Sequence, residues 1–376
     1  MKIKNQILSI AAMVVVALSI FSCSDSDKNE VTRMPTAMGY FTANAGRYSI
    51  LIDALKKTKL DVTLDAAGSF TIFAPDNTAF AATAYTSANI TALTSPADDV
   101  AIANLRVLLM NHVIGVGTRS SDLLAAGYSR TLGFYRANAP IANPAAGQTG
   151  IVTANATNQM SIFVYQVGAD VLLNGGTANG GAKVTKADVD VSNGVIHEID
   201  GVLTLPTVVN QLVANPNLST LLSVVTSTAT GAYGDQSAVA NIFMMATNFA
   251  PRTLFAPTNA AFTTAITAPN GFLVGRTPAN ITKVLQYHTL ATTGMRLRAF
   301  FTPPAPPATP VDFFITNTAA PTAQTFGVST AGALGNRIED NAVAPRTKVA
   351  RFVTTDIVCV NGMIHIIDKV LEPTLP

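Results

Sequence analysis

The stretch Asn193-Gly-Val-Ile-His-Glu-Ile-Asp-Gly-Val-Leu203 occurs twice in this chain. It returns 168 residues later as Asn361-Gly-Met-Ile-His-Ile-Ile-Asp-Lys-Val-Leu371, and 8 of the 11 positions are identical. A repeat of this length at this distance predicts two copies of one domain.

Each copy of the stretch predicts the second strand of a β-hairpin. Asn-Gly after an alternating apolar run, Val189-Asp-Val191 in the first copy, is the pattern of a type I′ turn, whose two central residues have positive φ. Alternation then places His197 on one face of the strand and Glu198 on the other. A shift of one residue would exchange the faces, so the turn and the alternation set the register together.

Length and composition favour a folded chain of two domains. The 376 residues allow each domain to bury a core of its own, and apolar residues make up 48% against 12% charged residues. Of the 24 basic residues, Lys2 and Lys4 lie in a segment that we expect to be removed, which leaves 22 basic and 22 acidic residues. A neutral chain without a basic stripe argues against nucleic acid as a partner.

Residues 1–22 have the pattern of a secretory signal peptide. The apolar run from Ile7 to Phe21 is shorter than the roughly 20 residues that cross a bilayer. It ends at Ile20-Phe-Ser-Cys23, which resembles the cleavage and lipidation site of bacterial lipoproteins. We therefore expect Cys23 to carry acyl chains that anchor the protein to a membrane; the alternative is an ordinary signal peptide with an incidental cysteine. Residues 23–35 form a polar tether, which resembles the export tether of lipoproteins from the Bacteroidetes group.

The second cysteine, Cys359, lies in the apolar segment Ile357-Val-Cys-Val360. With Cys23 modified, no disulfide can form within the mature chain. Because a catalytic thiol needs an electropositive and partly exposed pocket, we expect Cys359 to be a buried and unreactive hydrophobic residue.

A strand-to-helix motif also recurs in each half. Phe73-Ala-Pro-Asp-Asn-Thr-Ala-Phe80 corresponds to Phe255-Ala-Pro-Thr-Asn-Ala-Ala-Phe262. In each copy the proline is expected to end a strand, and the residue after it, Asp76 or Thr258, to cap the following helix.

A third motif is a helix that leads to a histidine. Leu105, Leu108 and Leu109 have helical spacing that continues to His112, and the second half repeats this spacing up to His288. Leu-Pro then closes each half, at Pro206 and at Pro376, so we place the domain boundary after residue 206.

These three motifs, found in the same order in each half, resemble the fasciclin-like domain family. The resemblance covers residues 36–206 and 207–376, which is nearly all of the mature chain. It implies an α+β fold with two tandem domains, each a β-wedge or sandwich with helices packed on one side. It also implies adhesion or extracellular ligand binding, with no catalytic centre and no cofactor. Asn111 departs from the family pattern, where tyrosine is more usual, and residues 136–160 and 302–330 match no motif.

The residues that carry the resemblance are expected to be structural. A zinc site needs three or four ligands at spacings such as His-x-x-x-His, which the sequence lacks. We therefore expect each histidine to be buried, with a ring nitrogen bonded to a backbone carbonyl or a carboxylate. Two roles are open to Asp200 and Asp368, namely pairing with a cation and capping a loop. We assign both to the group of residues that we expect to be structural. That group comprises Phe73, Pro75, Asn77, Phe80, His112, His197, Asp200, Phe255, Pro257, Asn259, Phe262, His288, His365 and Asp368.

The sequence contains no Gly-x-Ser-x-Gly, no Gly-x-Gly-x-x-Gly and no phosphate loop, so we do not expect an enzyme. We predict a lipid-anchored outer-membrane protein, exposed at the cell surface, that acts in adhesion or binds an extracellular protein. The alternative is a glycan-binding accessory subunit of an outer-membrane polysaccharide-uptake system. Because tryptophan is absent, its aromatic contacts would come from Tyr128, Tyr135 and Tyr165. The other interpretation, which we favour, is that these tyrosines are half-buried strand residues.

Overall fold

The structure is a computed structural model. Residues 1–32, which include the predicted signal peptide, Cys23 and most of the tether, lie outside the described residues, as do most residues of the segments 136–160 and 302–330. The described residues are 33–134, 159–228, 230–231, 233–237, 240, 252–267, 269, 271–290, 311–315, 324–329, 337–340, 348–373 and 375.

Seven strands of the first domain form one sheet. Their order across the sheet is second, first, seventh, sixth, fifth, fourth and third, and only the first and seventh strands run parallel to each other. In chain order they are β1 (Phe70–Pro75), β2 (Val113–Ile114), β3 (Tyr128–Phe134), β4 (Gln159–Val167), β5 (Asp170–Leu173), β6 (Ala182–Val191) and β7 (Gly194–Ile199).

Helices cover one face of the central pair β1 and β7. Ile72 and Ile196 point to this face and pack against buried side chains such as Phe41, Leu55 and Leu105. Polar side chains start several of the helices: Thr36 and Asp76, for example, accept hydrogen bonds from backbone N–H groups in the first turn. The helices are α1 (Ala37–Ala43), α2 (Ala45–Thr58), α3 (Asp61–Asp65), α4 (Asn77–Phe80), α5 (Ser87–Ala92), α6 (Asp99–Met110) and α7 (Ser120–Ala126).

The other face of the same pair packs against the far side of the sheet. Phe73 and Ile199 lie in one buried cluster with Ile162, Val164 and Leu173, which come from β4 and β5. The sheet therefore bends over its own core and forms a wedge, whose outer face points away from that core.

The second domain repeats this arrangement. Its strands have the same order in the sheet, with β8 and β14 as the parallel pair. The strands are β8 (Arg252–Pro257), β9 (Thr289–Leu290), β10 (Val311–Ile315), β11 (Gln324–Ser329), β12 (Arg337–Asp340), β13 (Lys348–Cys359) and β14 (Gly362–Ile367), and the helices are α8 (Val208–Ala214), α9 (Ser219–Val225), α10 (Asn259–Ile266) and α11 (Pro278–Tyr287). The predicted fold class, two tandem α+β domains, is confirmed. No helix among the described residues is long and apolar enough to cross a membrane.

The hairpin is present in both domains, but the predicted type I′ turn is wrong. Val191 pairs with Gly194, so Ser192 and Asn193 are the central residues, and neither has positive φ. Gly194 instead begins β7 with φ of 151°, at a point where a Cβ would lie 2.0 Å from the carbonyl oxygen of Phe70. Glycine is required here by the close approach of β1, and not by the turn.

Candidate functional site

His112 and His288 connect distant parts of their domains. Leu203 N–H donates to His112 Nε2 at 2.9 Å, so the proton is on Nδ1, which lies 2.9 Å from the carbonyl oxygen of Leu108. His288 makes the same two bonds with Leu371 and Val284. Burial lowers the pKa of both imidazoles to about 4, which keeps them neutral at physiological pH.

His197 and His365 lie inside the sheet and stack on the phenylalanine of the neighbouring strand. The ring centroids are 5.6 Å apart for Phe73 and His197 and 5.9 Å apart for Phe255 and His365. Asp188 N–H donates to Nδ1 of His197, whose Nε2 in turn donates to the carbonyl oxygen of Thr118. Burial lowers the pKa of His197, and lowers that of His365 to about 3.

Asn77 and Asn259 lie just after the end of a strand and form hydrogen bonds with an earlier helix of the same domain. Asn77 Oδ1 accepts from Ile50 N–H, and its Nδ2 donates to Ser49 Oγ and to a backbone carbonyl. Asn259 repeats these contacts with Thr220 and Ser219. In both copies the preceding prolines, Pro75 and Pro257, end a strand, and the following phenylalanines, Phe80 and Phe262, are buried in the helix-facing core.

Asp200 and Asp368 each accept a backbone hydrogen bond just after the last hairpin strand. Lys183 N–H donates to Asp200 at 2.7 Å, and Arg351 N–H donates to Asp368 at 2.6 Å. The two carboxylates are exposed and hold the start of the sixth strand of each domain to the end of the seventh. The thiol of Cys359 is buried, and burial raises its pKa.

The asparagine of each hairpin has a role that the sequence did not predict. Asn193 is buried, accepts from Ala37 N–H, and donates to the carbonyl oxygens of Leu64 and Ala66. Asn361 likewise accepts from Val208 N–H. This side chain therefore fixes the start of the first helix of each domain.

Two aspartates with positive φ were also missed. Asp188 and Asp356, with φ of 60° and 61°, sit at irregular positions of the strand before the hairpin. Asp188 accepts from Ser120 and so starts α7, whereas Asp356 lies 3.9 Å from Arg130 of the other domain. Both precede the hairpin asparagine by five residues, and this repeated spacing is a signal that could have identified them.

Glu198 is a buried carboxylate of the first domain. It accepts from Tyr40 Oη at 2.7 Å and pairs with Arg47 Nη1 at 2.5 Å. Burial and this hydrogen bond raise the pKa of Tyr40 to about 12. In the second domain Ile366 stands at the position of Glu198, so the two domains do not share this polar cluster.

The two domains meet in a polar interface, which we call the domain joint: Tyr128, Arg130, Ser161, Asn174 and Asn179 on one side, and Asn210, Gln211, Asn215, Asp356 and Val358 on the other. Gln211 is fully buried and donates to the carbonyl oxygen of Ser161 at 3.0 Å. Val358 N–H donates to Ser161 Oγ at 3.0 Å. Asn179 and Asn210 bond each other through side chain and backbone. Buried polar groups of this kind lose their partners if the domains separate, so the joint holds them in one orientation.

The outer face of the first sheet continues beyond the joint and becomes exposed. Tyr165 stacks on Phe163, which packs on Tyr128 in the joint. Tyr165 is 40% exposed and Val167 is 53% exposed. Among the described residues, no group of three or more histidine, cysteine or acidic side chains is arranged to hold a metal ion.

Comparison with a protein-family model agrees with the duplicated architecture. The fasciclin domain family model matches residues 46–206 and 218–373. A solved structure of a FAS1 domain pair from the insect cell adhesion molecule fasciclin I is 16% identical, with 87% of this chain and 95% of that chain covered and a TM-score of 0.42. No curated protein matches the chain. Because the family model covers most of the sequence in two separate segments, this chain belongs to the fasciclin domain family and carries two tandem fasciclin domains.

Proposed function

We propose that this chain is a lipoprotein of a bacterial cell envelope, held at the outer membrane by acyl chains on Cys23 and exposed at the cell surface. Its two fasciclin domains bind an extracellular protein in adhesion. Fasciclin domains generally serve adhesion and binding, and they are not enzymes.

One observation carries the proposal. The ring nitrogens described for His112, His197 and His288 bond to backbone groups of their own domain, and the motif carboxylates do the same. Acid–base or metal chemistry would require such groups to converge on an open cavity. The surface that the described residues present to a partner is the outer surface of two domains, which the domain joint holds together.

The anchor is tested by labelling cells with an alkyne fatty acid and comparing the full chain with Cys23→Ser. We expect label only on the unsubstituted chain, and we expect added protease to remove the protein from intact cells. Equal labelling of the two chains would overturn lipidation at Cys23. Survival of the protein on intact cells, with digestion after lysis, would overturn surface exposure.

The binding role is tested with the same pair of chains. Cells that display the full chain should attach to immobilised extracellular matrix proteins. Cells that express Cys23→Ser should attach at background level, because that variant lacks the residue proposed to carry the acyl chains. Equal attachment of both strains would contradict an adhesive role for this protein.

The exposed ring of Tyr165 favours a second candidate, the binding of polysaccharide. A half-exposed aromatic ring next to polar side chains is a surface on which a sugar ring can stack. Polysaccharide affinity measured by calorimetry should then fall at least tenfold in Tyr165→Ala. It should stay unchanged in Val116→Ala, which removes an exposed apolar side chain elsewhere in the domain. No measurable affinity of the unsubstituted chain would exclude this candidate.

A further inference from the structure

The first helices of the two domains correspond residue by residue. Thr36 caps α1 by accepting from Gly39 N–H, and Thr207 caps α8 by accepting from Asn210 N–H. Each helix has seven residues and begins with an N–H that donates to a hairpin asparagine. Gly39 therefore corresponds to Asn210, and Ala43 to Ala214.

In the second domain this helix is covered. Asn210 bonds Asn179 of the first domain, and Gln211 reaches the carbonyl oxygen of Ser161. A Cβ on Gly175 would lie 3.1 Å from Cα of Ala214, which shows how closely the first domain approaches. The face formed by the third, fourth and seventh residues of the helix is thus a docking face for a neighbouring fasciclin domain.

In the first domain two of these three positions are open. Gly39 and Ala43 line a groove of about 830 Å³ between α1 and α3, together with the exposed Thr42. The third position, Tyr40, turns inward to Glu198. Small residues at the floor of the groove allow a close approach, as Ala214 does in the domain joint.

Helix α3 gives the groove an acidic and apolar rim. Asp61 and Asp65 form no ion pair with any described residue, and Asp61 Oδ1 is buried without a hydrogen-bond partner in the described part of the chain. Asp65 accepts a hydrogen bond from Thr36 Oγ1. Between them Val62 is 69% exposed, so the rim carries an apolar side chain as well as two carboxylates.

Two arginines lie on the outer sheet face of the second domain. Lys183 and Arg351 hold equivalent positions, since each donates its N–H to the aspartate after the hairpin. Arg351 is exposed and lies opposite Arg337 across the β12–β13 pair. Val353, two residues further along β13, is 58% exposed. An exposed valine and arginine there match an exposed valine and two carboxylates in the groove.

We propose that copies of this chain associate head to tail, with the α1–α3 groove of one copy against the outer sheet face of the second domain of the next. As in the domain joint, this helix face would meet the outer sheet face of a fasciclin domain, although at β12 and β13 and not at the equivalents of the strands and loop that the joint uses. Since groove and sheet face are different surfaces, the association is heterologous and extends into short filaments unless it closes. This assembly goes beyond adhesion to a foreign partner and does not depend on it.

The test uses the mature chain from residue 23 onward with Cys23→Ser, studied by sedimentation velocity over a range of concentrations. The groove variant carries Val62→Lys and Asp65→Lys, and the sheet variant carries Arg351→Glu and Val353→Glu. Both change exposed side chains and leave the backbone donor of Arg351 intact. The control, Asp122→Lys, makes a comparable charge change on the exposed first turn of α7.

We expect the unsubstituted chain and the control to form concentration-dependent oligomers at low ionic strength. Each double variant alone should be at least tenfold weaker in association while its melting temperature stays within a few degrees. An equimolar mixture of the two variants should form dimers only, because one intact groove then meets one intact sheet face.

Three results would overturn the proposal. The first is a monomeric unsubstituted chain at all concentrations. The second is unchanged association of either double variant. The third is a mixture that stays monomeric, since that result excludes pairing of a groove with a sheet face. Cell attachment is measured independently, with strains that express the full chain or Cys23→Ser. A failure of self-association therefore does not change the conclusion about adhesion.

Discussion

His112 Nε2 accepts a hydrogen bond from the backbone N–H of Leu203, which is 91 residues further along the chain. The end of α6 is thereby tied to the segment that follows the hairpin. His288 and Leu371 repeat the bond in the second domain at a separation of 83 residues. Two motifs that look independent in the sequence are therefore the two ends of one physical connection.

Replacing His112 with alanine should lower the free energy of unfolding by roughly 2–4 kcal/mol. The substitution leaves the buried N–H of Leu203 without a partner, removes one of the two hydrogen bonds to the carbonyl of Leu108 and opens a cavity. The unsatisfied N–H alone costs about 1–3 kcal/mol, and the cavity adds to the loss. Denaturant unfolding at neutral pH measures the loss. His288→Ala should show a similar loss in the second domain, whereas unchanged midpoints in both variants would contradict the structural role.

Stability should fall as the pH drops from about 6.5 to about 4. The pKa of His112 and His288 is near 4 in the folded chain, below the ~6.5 of an unfolded imidazole, so the unfolded state binds more protons in this interval. Each histidine contributes roughly 3 kcal/mol to the free energy of unfolding above about pH 6.5, and this contribution is lost as the pH falls to about 4. Unfolding in denaturant at pH 7.5, 5.5 and 4.5 measures the slope. A chain with His112→Asn should show a shallower slope, and a flat profile for the unsubstituted chain would refute the assignment.

Gly194→Ala should be far more damaging than Gly168→Ala. A Cβ at position 194 would overlap the backbone of Phe70, whereas a Cβ at position 168 has nothing within 4 Å and costs only the strain of a positive φ. We expect a loss of more than about 3 kcal/mol, or failure to fold, for the first variant and about 1 kcal/mol for the second. Equal midpoints in denaturant for the two variants would mean that β1 and β7 are not in close contact.

Gln211→Ala should uncouple the two domains. The carbonyl oxygen of Ser161 loses its donor inside the domain joint, at a cost of about 1–3 kcal/mol in the free energy that holds the domains together. Calorimetry should then resolve two transitions in place of one. The control is Gln236→Ala, since Gln236 is equally buried but bonds within the second domain to Tyr233, Pro278 and Thr282. If both variants keep a single transition, the joint is not what couples the domains.

The duplication explains why the fold could be predicted. Asn77, His112 and His197 each have a counterpart in the second half, so their three motifs recur there in the same order. A repeated series of motifs is more specific than one short pattern. The period-two alternation of the hairpin strands placed His197 and Glu198 on opposite faces, and both faces proved to be buried.

The domain joint could not be predicted, because its contacts depend on how two folded domains meet. In the sequence Gln211 is one polar residue on a short apolar helix, and nothing local connects it to Ser161. The prediction of a type I′ turn in the hairpin was wrong for a related reason. Asn-Gly is a strong local signal, but Asn193 bonds Leu64 and Gly194 meets Phe70, and these tertiary contacts determine both residues.

The central claim is that the motif histidines are neutral internal links and not ligands or catalysts. Long-range nitrogen–proton NMR of the imidazole rings between pH 7.5 and 4 tests it most directly. The structure predicts that His112 and His288 carry the proton on Nδ1 and stay uncharged above pH 5. It also predicts that His197 carries its proton on Nε2 and that burial holds its pKa below the usual value of an imidazole. Titration of these rings near pH 6.5, or shifts on addition of zinc, would contradict the claim.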